Sequence, residues 1–175
     1  MAVIEIGFMK QGRKFTREDG YSEQDLIQYG IDHLRSAKIL LKKQACCHDS
    51  AAYLCHLCLE LLLKAFVLNL KDYFEDSHCL LGMYEELKKS GRVSLDSDFE
   101  KWLSDLDAFF NCRYPCPKKP IYFSGDDLEN IIVPIAMALI EKLPEELRLH
   151  ADKIFKNPEY PQKGNRTLII TPKNG

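Results

Sequence analysis

Three titratable side chains recur at every fourth position of an otherwise apolar stretch. His56, Glu60 and Lys64 lie within residues 51–70, where Asn69 is the only other clearly polar residue. A four-residue spacing places them in one seam of a helix, and Glu before Lys is the favourable order for an i, i+4 ion pair. The pattern predicts a supporting polar network inside a largely buried helix. A catalytic couple between Glu60 and Arg113 is the alternative.

A second group combines basic and aromatic side chains in a proline-rich stretch. Its members are Arg113, Tyr114, Lys118, Lys119 and Tyr122. Three prolines between residues 115 and 120 exclude a helix, so this stretch must be a loop. Basic groups bind phosphate and exposed aromatic rings stack on bases, so the loop is a candidate ligand-binding site. In the alternative interpretation, Arg113 pairs with a carboxylate of the domain and Tyr114 packs at its end.

The cysteines suggest a zinc site by residue type but not by spacing. Cys55 and Cys58 fall in the middle of the apolar stretch, where a thiol behaves as a small hydrophobic group. We therefore expect no metal and no cofactor. Seven cysteines without a visible secretory signal predict reduced thiols and a cytoplasmic protein.

Length and composition indicate one soluble domain. The chain has 175 residues, 46% of them hydrophobic and 29% charged, and a net charge of −2. This charge argues against a chain-wide electrostatic attraction to nucleic acid, so any such contact must be local. The central apolar stretch is long enough to span a membrane, but Glu60 and Lys64 near its middle argue against insertion.

Capping signals and apolar periodicity predict an all-α domain of about five helices. The predicted helices cover Ser22 to about Lys43, the central stretch capped by Asp49 or Ser50 and ending at Leu70, and, after a polar connection, His78 to Lys89. A fourth helix is capped by Ser97, and a fifth is capped by Ser124 to Asp127, kinks at Pro134 and restarts at Pro144. Residues 22–156 form the predicted bundle, residues 1–21 an N-terminal arm, and residues 157–175 a tail. Short β segments at Val3–Ile6 and Thr167–Thr171 are predicted to pair.

From about Asp25 to Leu149 the sequence resembles the HEPN domain (higher eukaryotes and prokaryotes nucleotide-binding). The resemblance is carried by Ala52-Tyr53, Glu60-Leu61-Leu62-Leu63-Lys64-Ala65, His78-Cys79-Leu80, Arg113-Tyr114-Pro115 and Tyr122. It implies an antiparallel up-down bundle, usually a homodimer, with the arginine-bearing loop near the dimer interface. It also implies a structural role for His78, which joins His56, Glu60 and Lys64 in the predicted supporting polar network.

Many members of that family are metal-independent endoribonucleases that carry an arginine followed, after four to six residues, by a histidine. Here Lys118, Lys119 and Pro120 follow Arg113 at the corresponding distance, and no histidine lies between His78 and His150. Lysine is a poor acid–base substitute for imidazole at neutral pH. The resemblance therefore predicts a nucleotide-, RNA- or partner-binding module without ribonuclease activity.

Two alternatives remain open at the level of the sequence. One is a divergent endoribonuclease toxin of a toxin–antitoxin or phage-defence system, and the other is a structural dimerisation domain without a ligand. The resemblance further implies a minimal nucleotidyltransferase as a partner protein. Tyr122 stands where such a partner transfers AMP in some toxin members.

Overall fold

The computed structural model describes residues 12–43, 47–113 and 122–157. These residues form an antiparallel helical bundle, so the predicted all-α fold is confirmed. The helices are α1 (Glu23–Lys43), α2 (His48–Lys71), α3 (Leu80–Lys89), α4 (Ser97–Leu106), α5 (Gly125–Asp127), α6 (Val133–Lys142) and α7 (Glu145–Lys156). A 3-10 helix (Asp107–Arg113) continues α4, and a π-helical segment (Leu128–Ile132) joins α5 to α6.

Helix α2 lies at the centre of the bundle. It packs against α1, α3, α6 and the 3-10 helix, and most of its residues from Ala51 to Leu68 are buried. By length and composition it could cross a membrane, but 78% of its most apolar 18-residue stretch is buried inside the described structure. This burial fits the predicted core helix of a bundle.

A small antiparallel sheet closes one end of α2. Strand β1 (Lys14–Thr16) pairs with β2 (Tyr73–Glu75), with Phe15 opposite Phe74. Neither strand was predicted: β1 lies in the predicted N-terminal arm, and β2 lies in the predicted polar connection after the central helix. The strands predicted at Val3–Ile6 and Thr167–Thr171 lie outside the described residues.

Three helix starts differ from their predicted positions. Helix α3 begins at Leu80 and not at His78, because the carboxylate of Asp107 accepts hydrogen bonds from the backbone N–H groups of Leu80 and Leu81. Helix α4 is capped by Asp96, whose side chain accepts from two backbone N–H groups, and not by Ser97. Helix α2 begins at His48 without the predicted cap from Asp49 or Ser50.

Other boundary signals are confirmed. Ser22 caps α1 by accepting from the backbone N–H of Asp25. Ser124 and Asp127 form a reciprocal capping box at the start of α5. Pro134 has no N–H and its ring crowds the preceding turn, and the chain accommodates it by forming the π-helical segment directly before α6.

Candidate functional site

A buried ionic cluster lies on α2 around Glu60, which is only 3% exposed. Lys64 Nζ donates to Glu60 Oε1 at 2.6 Å. His78 Nδ1 lies 3.1 Å and 3.0 Å from the two carboxylate oxygens, and His56 Nε2 lies 3.5 Å from Oε2. The structure thus brings together the four residues that the sequence assigned to a supporting network.

The cluster keeps Glu60 ionised. Burial raises the pKa of Glu60, but its contacts with His56, Lys64 and His78 and the charge of Lys64 outweigh the effect of burial and lower the pKa to about 2. A carboxylate with so low a pKa is a weak base at neutral pH. Glu60 is therefore suited to anchoring its neighbours and poorly suited to proton transfer.

His56 connects the cluster to the end of α4. Its Nδ1 lies 3.1 Å from the carbonyl oxygen of Leu106. Since that oxygen can only accept, Nδ1 carries the proton and Nε2 is turned towards Glu60. The contact fixes the point at which α4 passes into the 3-10 helix on the surface of α2.

His78 is the member of the cluster that reaches solvent, with 42% of its side chain exposed. Glu60 can only accept, so Nδ1 of His78 is the protonated nitrogen in this contact. Phe110 stacks on the imidazole with a centroid separation of 4.6 Å and an interplanar angle of 18°. Nε2 points away from Glu60 and lies 3.9 Å from Asp76 Oδ1.

Arg113 ends the 3-10 helix one turn beyond Phe110. Side chains three residues apart eclipse in such a helix, so Arg113 and Phe110 share one face, roughly 6 Å apart along the axis. The 3-10 helix runs antiparallel to α2, because Leu106 lies beside His56 whereas the charge of Asp49 acts on Cys112. The position of Arg113 in the chain is thus towards the N-terminal end of α2.

Tyr122 borders an aromatic groove of about 140 Å³ on another face of the 3-10 helix. The groove is lined by Trp102, Asp105, Leu106, Phe109, Tyr122, Phe123, Asp127, Ile131 and Ile132. Phe123 packs against Phe109 with a centroid separation of 5.2 Å, and its carbonyl oxygen lies 2.6 Å from His48 Nδ1. Tyr122 itself is 89% exposed.

The other predicted ligand-binding residues, Tyr114, Lys118 and Lys119, lie outside the described residues. Phe110 stacks on His78, and nothing in its sequence context distinguishes it from the other apolar residues of its helix. Cys55 and Cys58 are fully buried in the core, and burial raises the pKa of Cys58 to about 12. Within residues 12–43, 47–113 and 122–157, no group of three histidine, cysteine or acidic side chains is placed to hold a metal ion.

The fold and the cluster define an all-α bundle whose central helix carries a buried Glu–Lys pair and whose arginine-bearing 3-10 helix packs beside it. The family model of the HEPN domain matches residues 23–153, which is most of the chain. The chain belongs to the HEPN domain family. No curated protein and no solved structure matches it.

Proposed function

We propose that this chain is a homodimeric HEPN module that binds a nucleotide or RNA through Arg113 and Tyr122 and leaves the RNA intact. The observation that carries the proposal is the exposure of Tyr122, 89% of whose surface is open to solvent beside an aromatic groove. The core does not account for so exposed a ring. Stacking on a base would give it a role.

The charges at the two ends of the loop indicate which part of the ligand each end would bind. Asp105 and Asp127 line the groove and would repel a phosphate, so the groove is suited to the base. Arg113 is exposed at the other end of the loop, where a guanidinium can donate two parallel hydrogen bonds to a phosphate. The proposed ligand therefore places its base at Tyr122 and its phosphate at Arg113.

The lack of cleavage follows from the acid–base groups. Glu60 is held ionised with a pKa of about 2 and is a weak base. The sequence has no histidine in the four to six residues after Arg113. One observation favours the endoribonuclease as the second candidate: His78 supplies an exposed imidazole next to Phe110, on the face of the 3-10 helix that carries Arg113.

Alanine substitutions at the two ends of the loop test the binding proposal. We expect Tyr122→Ala to weaken binding by about 5- to 150-fold, the value of one lost base–aromatic stack. Arg113→Ala should weaken binding by at least as much. The measurement is fluorescence anisotropy with labelled single-stranded RNA, with ATP as a competitor.

The matched control is Tyr29→Ala, which removes a partly exposed tyrosine (37%) from α1. Binding equal to wild type in all three variants would overturn the proposed site. Light scattering on the same samples tests the homodimer, and a mass equal to one chain at all concentrations would refute it.

A further inference from the structure

A basic cavity of about 220 Å³ opens between the C-terminal turn of α2, the connection from α3 to α4, and the junction of α6 with α7. Its apolar lining is formed by Phe66, Leu70, Leu143 and Pro144. Arg92 and Lys142 also line it, and none of the described residues that line it is acidic. We infer that this cavity binds an acidic segment of a partner protein. An apolar side chain of the segment would fill the cavity, and flanking carboxylates would pair with the two cations.

The two cations are not neutralised within the described structure. Both side chains are exposed, and within residues 12–43, 47–113 and 122–157 neither of them forms an ion pair or a hydrogen bond. Other lysines of the bundle do pair with a glutamate, namely Lys38, Lys64, Lys71 and Lys88. Arg92 and Lys142 are therefore available to an anion from outside the chain.

The backbone holds both cations in place. Gly91 adopts the left-handed conformation that ends α3 (φ +71°), and Arg92 donates its backbone N–H to the carbonyl oxygen of Leu87 at 3.3 Å. Lys142 is the last residue of α6 and is followed by Leu143, which is only 4% exposed. Binding would therefore order only the side chains of Arg92 and Lys142, which limits its entropic cost.

The neighbouring carboxylates do not occupy the cavity. Glu141, Glu145 and Glu146 are close to Lys142 in sequence but do not line it. Glu23 accepts a hydrogen bond from Asn69, which does line the cavity, but Glu23 is paired with Arg17. The cavity is thus a local positive site in a chain whose net charge is −2.

The lining favours an apolar side chain between carboxylates over a phosphate. Several oxygens of a phosphate need donors, whereas apolar residues dominate this lining and the amide of Asn69 is already bonded to Glu23. A cavity of about 150 Å³ holds a benzene molecule. One of about 220 Å³ has room for a phenyl ring or a branched side chain, and charge-assisted hydrogen bonds to Arg92 and Lys142 would fix the carboxylates.

The cavity is far from the nucleotide site proposed above. Cys112, next to Arg113, lies near Asp49 in the first turn of α2, whereas Asn69 is in the last turn. The 20 residues between Asp49 and Asn69 span roughly 30 Å of helix. A protein segment bound at the basic cavity would leave the nucleotide site open, so this inference goes beyond the proposed function and does not depend on it.

The alternative is that Arg92 and Lys142 only offset the partial negative charge at the ends of α3 and α6. In that role, their replacement lowers the melting temperature and changes no binding. In the proposed role, their replacement removes the binding of an acidic peptide.

The probe is the blocked peptide Glu-Glu-Phe-Glu-Glu, with Glu-Glu-Ala-Glu-Glu and Gln-Gln-Phe-Gln-Gln as its controls. Binding to the full chain is measured by calorimetry, and NMR chemical shifts of the backbone amides of Phe66, Leu70 and Leu143 locate it. The test variant carries Arg92→Gln and Lys142→Gln. The matched control carries Lys101→Gln and Lys153→Gln, which remove two exposed charges outside the cavity.

We expect Glu-Glu-Phe-Glu-Glu to shift the three amides of the wild type and both control peptides to bind more weakly. The test variant should bind at least tenfold more weakly, because it loses two charged hydrogen-bond donors, and the control variant should bind like wild type. A variant with Arg92→Glu and Lys142→Glu should reject this peptide and bind Lys-Lys-Phe-Lys-Lys.

Unmoved amides in the wild type, or equal binding by wild type and test variant, would overturn the inference. Displacement of the peptide by inorganic phosphate or by single-stranded RNA at the same amides would assign a phosphate site and overturn it as well. Should the test variant not fold, equal binding of Glu-Glu-Phe-Glu-Glu and Gln-Gln-Phe-Gln-Gln to the wild type refutes the ion pairs. Retention of RNA by a wild type that ignores the peptide would leave the proposed function standing.

Discussion

At the scale of single residues, Glu60 determines how the polar cluster is built. Glu60 is a charged residue of α2 buried in the core of the bundle, and Lys64, His56 and His78 lie around its two carboxylate oxygens. A buried ion pair contributes little net stability compared with apolar packing, but the loss of one partner leaves the other charge stranded. The cluster is therefore more sensitive to single substitutions than to a paired replacement.

A double-mutant cycle tests this sensitivity. We expect Glu60→Gln and Lys64→Met each to lower the free energy of unfolding by about 3–5 kcal/mol, because each strands a buried partner. The double variant should lose clearly less than the sum of the two. The measurement is urea denaturation, with the surface pair Lys38–Glu129 as the reference, where Glu129→Gln should cost under about 1 kcal/mol. Strictly additive losses at Glu60 and Lys64 would show that the two charges are not coupled.

The low pKa of Glu60 makes stability depend on pH in acid. Its pKa is about 2 in the folded protein against an ordinary value of 4.5, so ionised Glu60 stabilises the fold. This contribution, on the order of 3 kcal/mol, is fully present above about pH 4.5 and is lost as pH falls towards about 2. As the pH falls through this interval, we expect the wild type to lose stability relative to the Glu60→Gln, Lys64→Met double variant. Urea denaturation at a series of pH values measures it, and parallel pH profiles would rule the effect out.

At the scale of elements, the sequence predicts helix starts well where one capping residue has no rival. Ser22 and Ser124 are such cases. The predicted starts of α3 and α4 were wrong because another aspartate is the better acceptor. This is the distant Asp107 for α3 and the neighbouring Asp96 for α4. Strands β1 and β2 have three residues each, too few to produce an alternating pattern. Their pairing depends on contacts that only the folded chain creates.

The position of the α4 cap is directly testable. Asp96→Ala should lower the free energy of unfolding by about 1 kcal/mol, because two backbone N–H groups lose their acceptor. Ser97→Ala serves as the matched control and should change stability by a few tenths of a kcal/mol at most. Chemical denaturation of both variants decides between the two positions. A larger loss for Ser97→Ala would restore the start predicted from the sequence.

At the scale of the whole molecule, the bundle was predictable because α2 is apolar on every face except one seam. That seam also predicted the contacts among His56, Glu60 and Lys64 from spacing alone. The exposed orientation of His78 was not predictable, since it depends on Phe110 and on the 3-10 helix that continues α4. Arg113 lies on one face of that helix, and Tyr122 borders the groove on another face. This placement also depends on tertiary packing and was not predictable.

The central claim is that this HEPN domain binds RNA and does not cut it. The most direct measurement is incubation of labelled single-stranded RNA with wild type and Arg113→Ala in EDTA, with retention and RNA length read from the same sample. We expect the wild type to retain full-length RNA and Arg113→Ala to release it uncut. RNA shortened by the wild type and left intact by Arg113→Ala would contradict the claim and make the protein a metal-independent ribonuclease.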